Sequence, residues 1–391
     1  MNSVESLTRQ FQSRFGAPPR IYRAPGRVNL IGEHTDYNDG FVMPAAIGFS
    51  CWVAIARRDD RKLVLFSEQF PNAPTQLDLE GPRVQRKPGH SWSDYPIGVA
   101  LQLRDAGFPL SGANLFFRGE VPMGAGLSSS AAIEVATAVA LTDLSGRVFD
   151  RSELARLCQK AENEFVGTQS GIMDQFISLH GQRDHALLLD CRSLQFEWLP
   201  IPGSVRLVIC DTGVKHEHAS GEYNRRRAEC EEAVRVLSRV LPGIRALRDV
   251  GEEQLQQHRT SLADVTYKRA LHVVTENART VQSADALRRG DLARFGRLMA
   301  ESHRSLRDLY EVSCRELDLM VALANQPGVY GARMTGGGFG GSTINLVEAI
   351  HAETFARNIA AAYQRETSIA PRIHICMPAD GAARVDSAEL Q

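Results

Sequence analysis

The chain has 391 residues, with 45 Lys and Arg against 46 Asp and Glu and a formal net charge of −1. At roughly 150 residues per domain this length predicts two domains, enough to bury a sizeable core without disulfide or metal staples. Near-neutrality excludes broad electrostatic binding of nucleic acid or anionic membrane, while leaving room for a small polyanion in one local site.

In chain order, residues 4–15 read as a short amphipathic helix stopped by Gly16, with Pro18 and Pro19 beyond. Residues 21–24, 49–56 and 63–67 alternate or run apolar between turn residues and read as strands. Residues 89–92 read as loop, 95–103 as helix and 113–119 as strand. A glycine-serine loop over 124–130 leads into a helix over 131–144. Ser152 is expected to cap the next helix, whose Leu154, Leu157, Cys158 and Ala161 share a face, and which ends at a loop over 167–171. Residues 186–190 and 205–211 read as strands. The turn-rich Pro200-Ile201-Pro202-Gly203 marks a boundary between units 1–202 and 203–391. The second unit is helix-rich over 222–237, 267–287 and 292–309, then holds a glycine turn at 336–338 and a strand over 342–347. With no repeat and no low-complexity tract, the mixture predicts an α+β protein in two domains.

The 7 cysteines form no C-x-x-C pair, which argues against a zinc or iron–sulfur site. Cysteines in apolar runs such as Leu207-Val208-Ile209-Cys210 read as small core residues. The opening Met1-Asn2-Ser3-Val4-Glu5 is polar, and no run approaches 18 apolar residues. The expectation is a cytoplasmic protein in a reducing compartment, without a membrane or nucleic-acid partner.

Three segments carry chemistry. The first, Pro25-Gly26-Arg27-Val28-Asn29-Leu30-Ile31-Gly32-Glu33-His34-Thr35-Asp36-Tyr37, crowds donors and acceptors around two glycines. A solvated polar turn would look the same by itself. A sugar ring, however, needs several of each, because every buried hydroxyl both gives and takes a hydrogen bond. The second, Pro122-Met123-Gly124-Ala125-Gly126-Leu127-Ser128-Ser129-Ser130-Ala131-Ala132, joins a strand to a helix. Its small residues let backbone N–H groups approach a phosphate at a helix N-terminus. It is neither a G-x-x-x-x-G-K-[ST] loop nor a dinucleotide fingerprint, since Ser129 stands where the third glycine would be. An ordinary serine N-cap is the plainer alternative. The third, Met334-Thr335-Gly336-Gly337-Gly338-Phe339-Gly340-Gly341-Ser342, has five glycines, too many for good strand or helix, and suits close approach of backbone to a ligand.

In this order the three segments resemble the motifs of the GHMP small-molecule kinases, and the first is similar to the galactokinase signature of that family. Gly171-Ile172-Met173-Asp174-Gln175-Phe176, Gly221-Glu222-Tyr223-Asn224-Arg225-Arg226-Arg227 and Glu301-Ser302-His303-Arg304-Ser305-Leu306 also resemble galactokinase stretches. The resemblance runs from about residue 21 to the last strand. It implies an N-terminal α/β domain, a C-terminal α+β domain and an active site in the cleft between them. The activity it implies is transfer of the γ-phosphoryl of ATP to the C1 hydroxyl of α-D-galactose, by a monomer needing Mg²⁺.

By the same resemblance, Asp174 is the catalytic aspartate and Arg27 the catalytic arginine, able to pair with Asp174 and to stabilise charge between sugar and phosphate. Galactose falls to Glu33, His34, Asp36, Asp174 and Tyr223, and the nucleotide to Gly124, Ala125, Gly126, Leu127, Ser128, Ser129 and Ser130. Ser130 and Glu162 correspond to the metal positions, with Glu134 as a rival carboxylate. Glu162 is expected on a helix ahead of a loop bearing Asp174, and Trp92 with residues 64–67 beside adenine. Two alternatives stay open: an N-acetylgalactosamine kinase, and a non-catalytic galactose and ATP sensor on the same fold. The complete Ser128-Ser129-Ser130-Ala131-Ala132 run, with Arg27 and Asp174, speaks against the sensor.

Overall fold

The computed structural model describes residues 3–385 apart from 83, 87, 88, 90 and 216–218, so part of the loop expected over 89–92 lies outside the described residues. The chain opens with α1 (Ser3–Phe15), whose Val4, Leu7 and Phe11 fall on one face and are buried against Ile21, Ala54 and Phe116. Next come β1 (Arg20–Asn29), β2 (Phe41–Val42), β3 (Pro44–Arg57), β4 (Lys62–Ser67), β5 (Thr75–Asp78), α2 (Asp94–Asp105) and β6 (Ala113–Gly119). Alternating burial along β4 marks a strand with one face to the core.

Beyond β6, α3 (Ser129–Ser145) is rich in alanine and buried on nearly every side, as a helix wedged between a sheet and other helices must be. The following helix, α4 (Arg151–Ala161), is capped not by Ser152 but by Asp150, whose side chain accepts from the Glu153 N–H. A β-region residue two positions earlier offers the carboxylate the cap needs, while Ser152 already lies inside the helix. A π-turn over Glu162–Val166 extends α4, and α5 (Met173–His180) follows. The expected Asp174 loop is therefore the first turn of a helix.

The remaining elements are β7 (His185–Asp190), β8 (Phe196–Pro200), β9 (Val205–Lys215), α6 (Ala219–Leu237), α7 (Glu252–Gln257), α8 (Asp264–Arg288), α9 (Leu292–Ser305), α10 (Arg315–Leu323), β10 (Val329–Thr335), β11 (Gly340–Glu348), α11 (Ala352–Thr367), β12 (Arg372–Cys376) and β13 (Ala383–Val385). The helix expected over 292–309 ends as α-helix at Ser305 and continues as a π-turn to Tyr310.

Among the described residues three sheets result. Six strands run β13-β1-β3-β6-β4-β5, four run β10-β11-β9-β12, and three run β2-β7-β8. All pairings are antiparallel except β4 with β6. The largest buried cluster joins the first sheet and α3 to β9, β11, α8 and α9, so both halves of the chain share it. A second cluster lies among α6, α8 and α10, and a third between the four-stranded sheet and α10 with α11. The architecture is α+β, as expected. Among the described residues, no helix is long and apolar enough to cross a membrane.

Candidate active site

β1, the loop before α3 and the β10–β11 turn converge on one cleft of about 340 Å³. β1 carries a bulge between Pro25 and Arg27, which re-aims the strand end. Gly26 lies so close to the serine loop that an added Cβ would come 2.5 Å from the Leu127 carbonyl, and the Arg27 N–H donates to that same carbonyl at 3.1 Å. The Arg27 side chain is thereby delivered into the cleft. Its Nε and Nη2 donate to the two oxygens of Asp174 at 2.7 and 2.8 Å, and its Nη1 to the Gly126 carbonyl at 2.6 Å. Burial works against the buried guanidinium's charge, but Asp174 and Glu33 outweigh it and hold its pKa above the ordinary value. Ser128 adopts left-handed backbone (φ 60°), and its hydroxyl donates to Asp174 rather than standing free toward a phosphate.

The sugar-like segment lines the opposite wall. Glu33 is buried, and its Oε1 accepts the Gly336 N–H at 2.7 Å with Arg333 Nη1 at 3.5 Å. One of its two oxygens thus pins the β10–β11 turn, a role the sequence reading did not assign. Burial pushes its pKa up despite Arg333 and Arg27. His34 hydrogen-bonds through Nδ1 to the Tyr37 hydroxyl at 2.8 Å, and that hydroxyl pairs with the Tyr310 hydroxyl at 2.7 Å. Burial presses the imidazole down to about 3 against the pull of the Gly337 backbone, so it is neutral, and its Nε2 makes no hydrogen bond of good geometry within the protein. Asp36 is raised to about 7, first by loss of water and then by the charge of Asp174, while its Oδ1 accepts the Tyr37 N–H at 3.0 Å. The Tyr223 ring stands 5.4 Å from that of His34.

At the far side of Asp174, Glu162 Oε2 accepts from Ser170 Oγ at 2.5 Å and from Gln175 Nε2 at 2.8 Å. Ser130, which lines the same cleft, also favours the ionised form of Glu162. The Gln175 amide reaches Glu134 Oε2 at 3.0 Å, and Glu134 Oε1 is buried with no partner. Burial drives both carboxyls upward. The two rival carboxylates therefore share one amide, but only Glu162 lines the cleft.

A second hollow of about 490 Å³ adjoins the first through Gly124, Ser129 and Ser130. Trp92 and Ser67 line it, and the Trp92 ring stacks parallel to Phe70 at 6.4 Å. Of the strand residues expected there, only Ser67 does so.

The cleft gathers Arg27, Glu33, His34, Asp36, Gly124, Gly126, Leu127, Ser128, Ser129, Ser130, Glu162, Asp174 and Tyr223. Ala125 does not join them: it is fully buried, and its carbonyl accepts from Ser342 Oγ at 2.7 Å. Sequence reasoning missed Tyr95, Ser170 and Thr335 as lining residues. Ser170 and Thr335 had a signal, their places in the loop before Asp174 and in the glycine segment over 334–342; Tyr95 had none beyond proximity created by the fold.

Residues 9–57 match the family described as "Galactokinase galactose-binding signature". Residues 94–182 match "GHMP kinases N terminal domain" and 283–365 "GHMP kinases C terminal". The chain is 48% identical to a galactokinase of Roseiflexus sp. (strain RS-1) over 394 aligned positions, and 48% identical to one of Chloroflexus aggregans over 391, covering 100% of both chains in each case. Among solved structures it is similar to Lactococcus lactis galactokinase complexed with galactose, with a TM-score of 0.94 at 36% identity, over 98% of this chain and 100% of that one. A mevalonate kinase of Methanococcus jannaschii, at 18% identity and a TM-score of 0.63 over 93% of this chain and 99% of that one, shares the fold. Full-length identity at this level, on a cleft where the motif residues meet, shows that the chain belongs to the galactokinase family of GHMP kinases.

Proposed function

We propose that this protein transfers the γ-phosphoryl of ATP to the C1 hydroxyl of α-D-galactose, giving α-D-galactose 1-phosphate and ADP. The observation that carries the reading is the Arg27–Asp174 pair, joined at 2.7 and 2.8 Å between the sugar-like segment and the serine loop. Phosphoryl transfer asks a protein for positioning, for neutralisation of phosphate charge and for an acceptor of the hydroxyl proton. Asp174 is the acceptor. Arg27 fixes its orientation with two hydrogen bonds and Ser128 adds a third, so the carboxylate meets the sugar preoriented. The guanidinium also stabilises negative charge growing between the sugar oxygen and the phosphoryl group.

Glu33, His34, Asp36 and Tyr223 surround the sugar. Asp36 accepts from its hydroxyls, and the Nε2 of neutral His34 gives or takes one hydrogen bond. Gly124 and residues 126–130 follow the phosphates into the N-terminus of α3, and the Trp92–Phe70 hollow holds adenine. In this reading the protein works as a cytoplasmic monomer, with the chain divided near residue 202.

Ser130 and Glu162 would hold Mg²⁺. The donor set fits a hard cation: Glu162 is a buried carboxylate hydrogen-bonded to a hydroxyl and an amide, with the charge of Asp174 nearby. Among the described residues, no group of three or more His, Cys, Asp or Glu could hold a metal alone, as suits an ion that keeps waters and phosphate oxygens as ligands. When bound, the ion neutralises phosphate charge.

A coupled assay of ADP release over a panel of sugars tests the assignment. Galactose should lead glucose by on the order of 10⁴-fold in kcat/KM, because a site built around one hydroxyl leaves buried polar groups unpaired when that hydroxyl is misplaced. Comparable rates on both sugars, or preference for N-acetylgalactosamine, would overturn it.

A further inference from the structure

The segment Glu301-Ser302-His303-Arg304-Ser305-Leu306 touches neither hollow, yet its inward residues reach both walls of the cleft through hydrogen bonds. It forms the end of α9 and the start of the π-turn. Ser302, His303, Ser305 and Leu306 are buried, and Glu301 and Arg304 face solvent. Ser302 Oγ donates to Glu276 Oε1 at 2.6 Å, and that same oxygen accepts the Gly32 N–H at 3.0 Å. One turn on, Ser305 Oγ lies 2.8 Å from His272 Nδ1, while His272 Nε2 lies 3.1 Å from the Glu33 carbonyl. A carbonyl only accepts, so Nε2 carries the proton; Nδ1 is then the acceptor and Ser305 its donor.

The arrangement is a ladder. Two serines one turn apart on α9 orient two groups one turn apart on α8, and these grip consecutive residues of the sugar segment. Arg279 Nε secures the other oxygen of Glu276 at 2.7 Å, and Asn277 Oδ1 accepts the Phe41 N–H at 2.9 Å further along. On the next rung His303 Nδ1 accepts the Met334 N–H at 3.3 Å, tying α9 to the strand that feeds the β10–β11 turn.

We propose that Ser302 and Ser305 are positioning residues for the sugar: through Glu276 and His272 they set the backbone of residues 32–34, and hence where Glu33 and His34 stand. They touch no substrate. Every member except Arg279 and Asn277 is buried, so a missing rung leaves a polar group with nothing to replace its partner. The sugar's identity rests on the function proposed above, and the test separates the two.

The variants are Ser302→Ala, Ser305→Ala and their combination, with Ser305→Thr as the conservative variant. Hydrogen exchange read residue by residue should show the Gly32 amide at least about tenfold faster in the double variant, while Ile209, paired with Ile344 inside the β9–β11 ladder, keeps its rate. Titration calorimetry should show the galactose Kd rising by about tenfold and the ATP Kd by less than about twofold, with Ser305→Thr near wild type. The ladder is refuted if Gly32 exchange and galactose Kd are both unchanged. It is equally refuted if ATP and galactose weaken together while Ile209 exchange also accelerates, since the serines would then merely support the core. A wild-type protein that binds no galactose overturns the assigned sugar, and the Gly32 exchange rate alone then decides the ladder.

Discussion

Arg27 and Asp174 are the two residues on which the chemistry turns. Asp174→Asn keeps the size and one acceptor but removes basicity and the bidentate match to Arg27. Turnover should fall by roughly 10²–10⁴-fold, the usual cost of losing a general base, with galactose binding partly retained. Turnover near wild type in a single-turnover assay would remove Asp174 from the mechanism. Gly171 supplies a subtler probe. A Cβ there would lie 1.9 Å from Asp36 Oδ2, so Gly171→Ala must push that carboxylate aside. A clear rise in the KM for galactose, with the KM for ATP unmoved, is the expected result.

Asp36 also makes the protein sensitive to pH. Its carboxyl titrates near 7 in the folded chain against 3.8 ordinarily. Between those values the unfolded chain has released a proton that the native chain keeps. The stability due to this group is therefore full below about 4 and lost as pH rises through 7. The Tm of the ligand-free protein should carry that downward slope, and Asp36→Asn should flatten it. Sugar binding runs the other way: a carboxylate accepts from hydroxyls better than a carboxylic acid, so the KM for galactose should rise as pH falls from 8 to 6. A KM that stays level over that range would show that Asp36 does not receive the sugar.

At the scale of elements, what the sequence made legible was whatever is decided locally. The strand over 113–119 coincides with β6, and the helix after the serine loop begins within two residues of expectation, because periodicity and small-residue punctuation suffice there. The motif residues reach one cleft because each lies near a bulge, a glycine or a helix end. Elements that owe their form to distant partners were not legible. β13 is three residues long and exists by pairing with β1, and α5 looked like loop because its eight residues follow a glycine-rich run. The link between Glu33 and Gly336 joins positions 303 apart, which no local pattern reports.

The meeting of α3, α4 and α5 poses the metal question. Gln175 on α5 donates to Glu134 of α3 and to Glu162 at the end of α4, so the two carboxylates are held as a unit although one is fully enclosed. Glu162→Gln should raise the Mg²⁺ needed for half-maximal rate while leaving galactose affinity near wild type, since an amide oxygen lacks the charge a hard cation seeks. Glu134→Gln should shift the Mg²⁺ requirement less, being one hydrogen bond removed from the cleft. Mg²⁺ titrations of both variants decide, and a larger shift in Glu134→Gln would move the ligand to α3.

Over the whole molecule, the segment over 379–385 is stitched to the base of the catalytic apparatus. After β12 the backbone leaves the four-stranded sheet and returns to the first: the Ala379 N–H donates to the Ala46 carbonyl at 2.9 Å, Gly381 to Gly181 at 2.8 Å and Ala382 to Ser178 at 2.7 Å, before β13 pairs with β1. Ser178 and Gly181 flank the C-terminal end of α5, whose first turn bears Asp174, and β1 carries Arg27. Ser178 Oγ closes the loop by donating to the Pro25 carbonyl of β1 at 2.8 Å. The tail thus braces, from behind, both elements that present the catalytic pair. Gly381 is the tightest point. A Cβ there would sit 2.5 Å from the Leu179 carbonyl oxygen and 2.9 Å from the Gly181 nitrogen, all backbone that has nowhere to move. Gly381→Ala must lift the tail off α5, at the roughly 1–3 kcal/mol typical of overpacking. Calorimetric unfolding should show a Tm lower by a few degrees. Because α5 loses its brace at the end opposite Asp174, kcat should fall well below wild type at temperatures where the protein is still folded. If Tm falls and kcat does not, the tail stabilises the molecule without holding Asp174 against Arg27, and α5 is kept in place by its buried Phe176 and Ile177 and by the hydrogen bonds of Gln175 and Ser178.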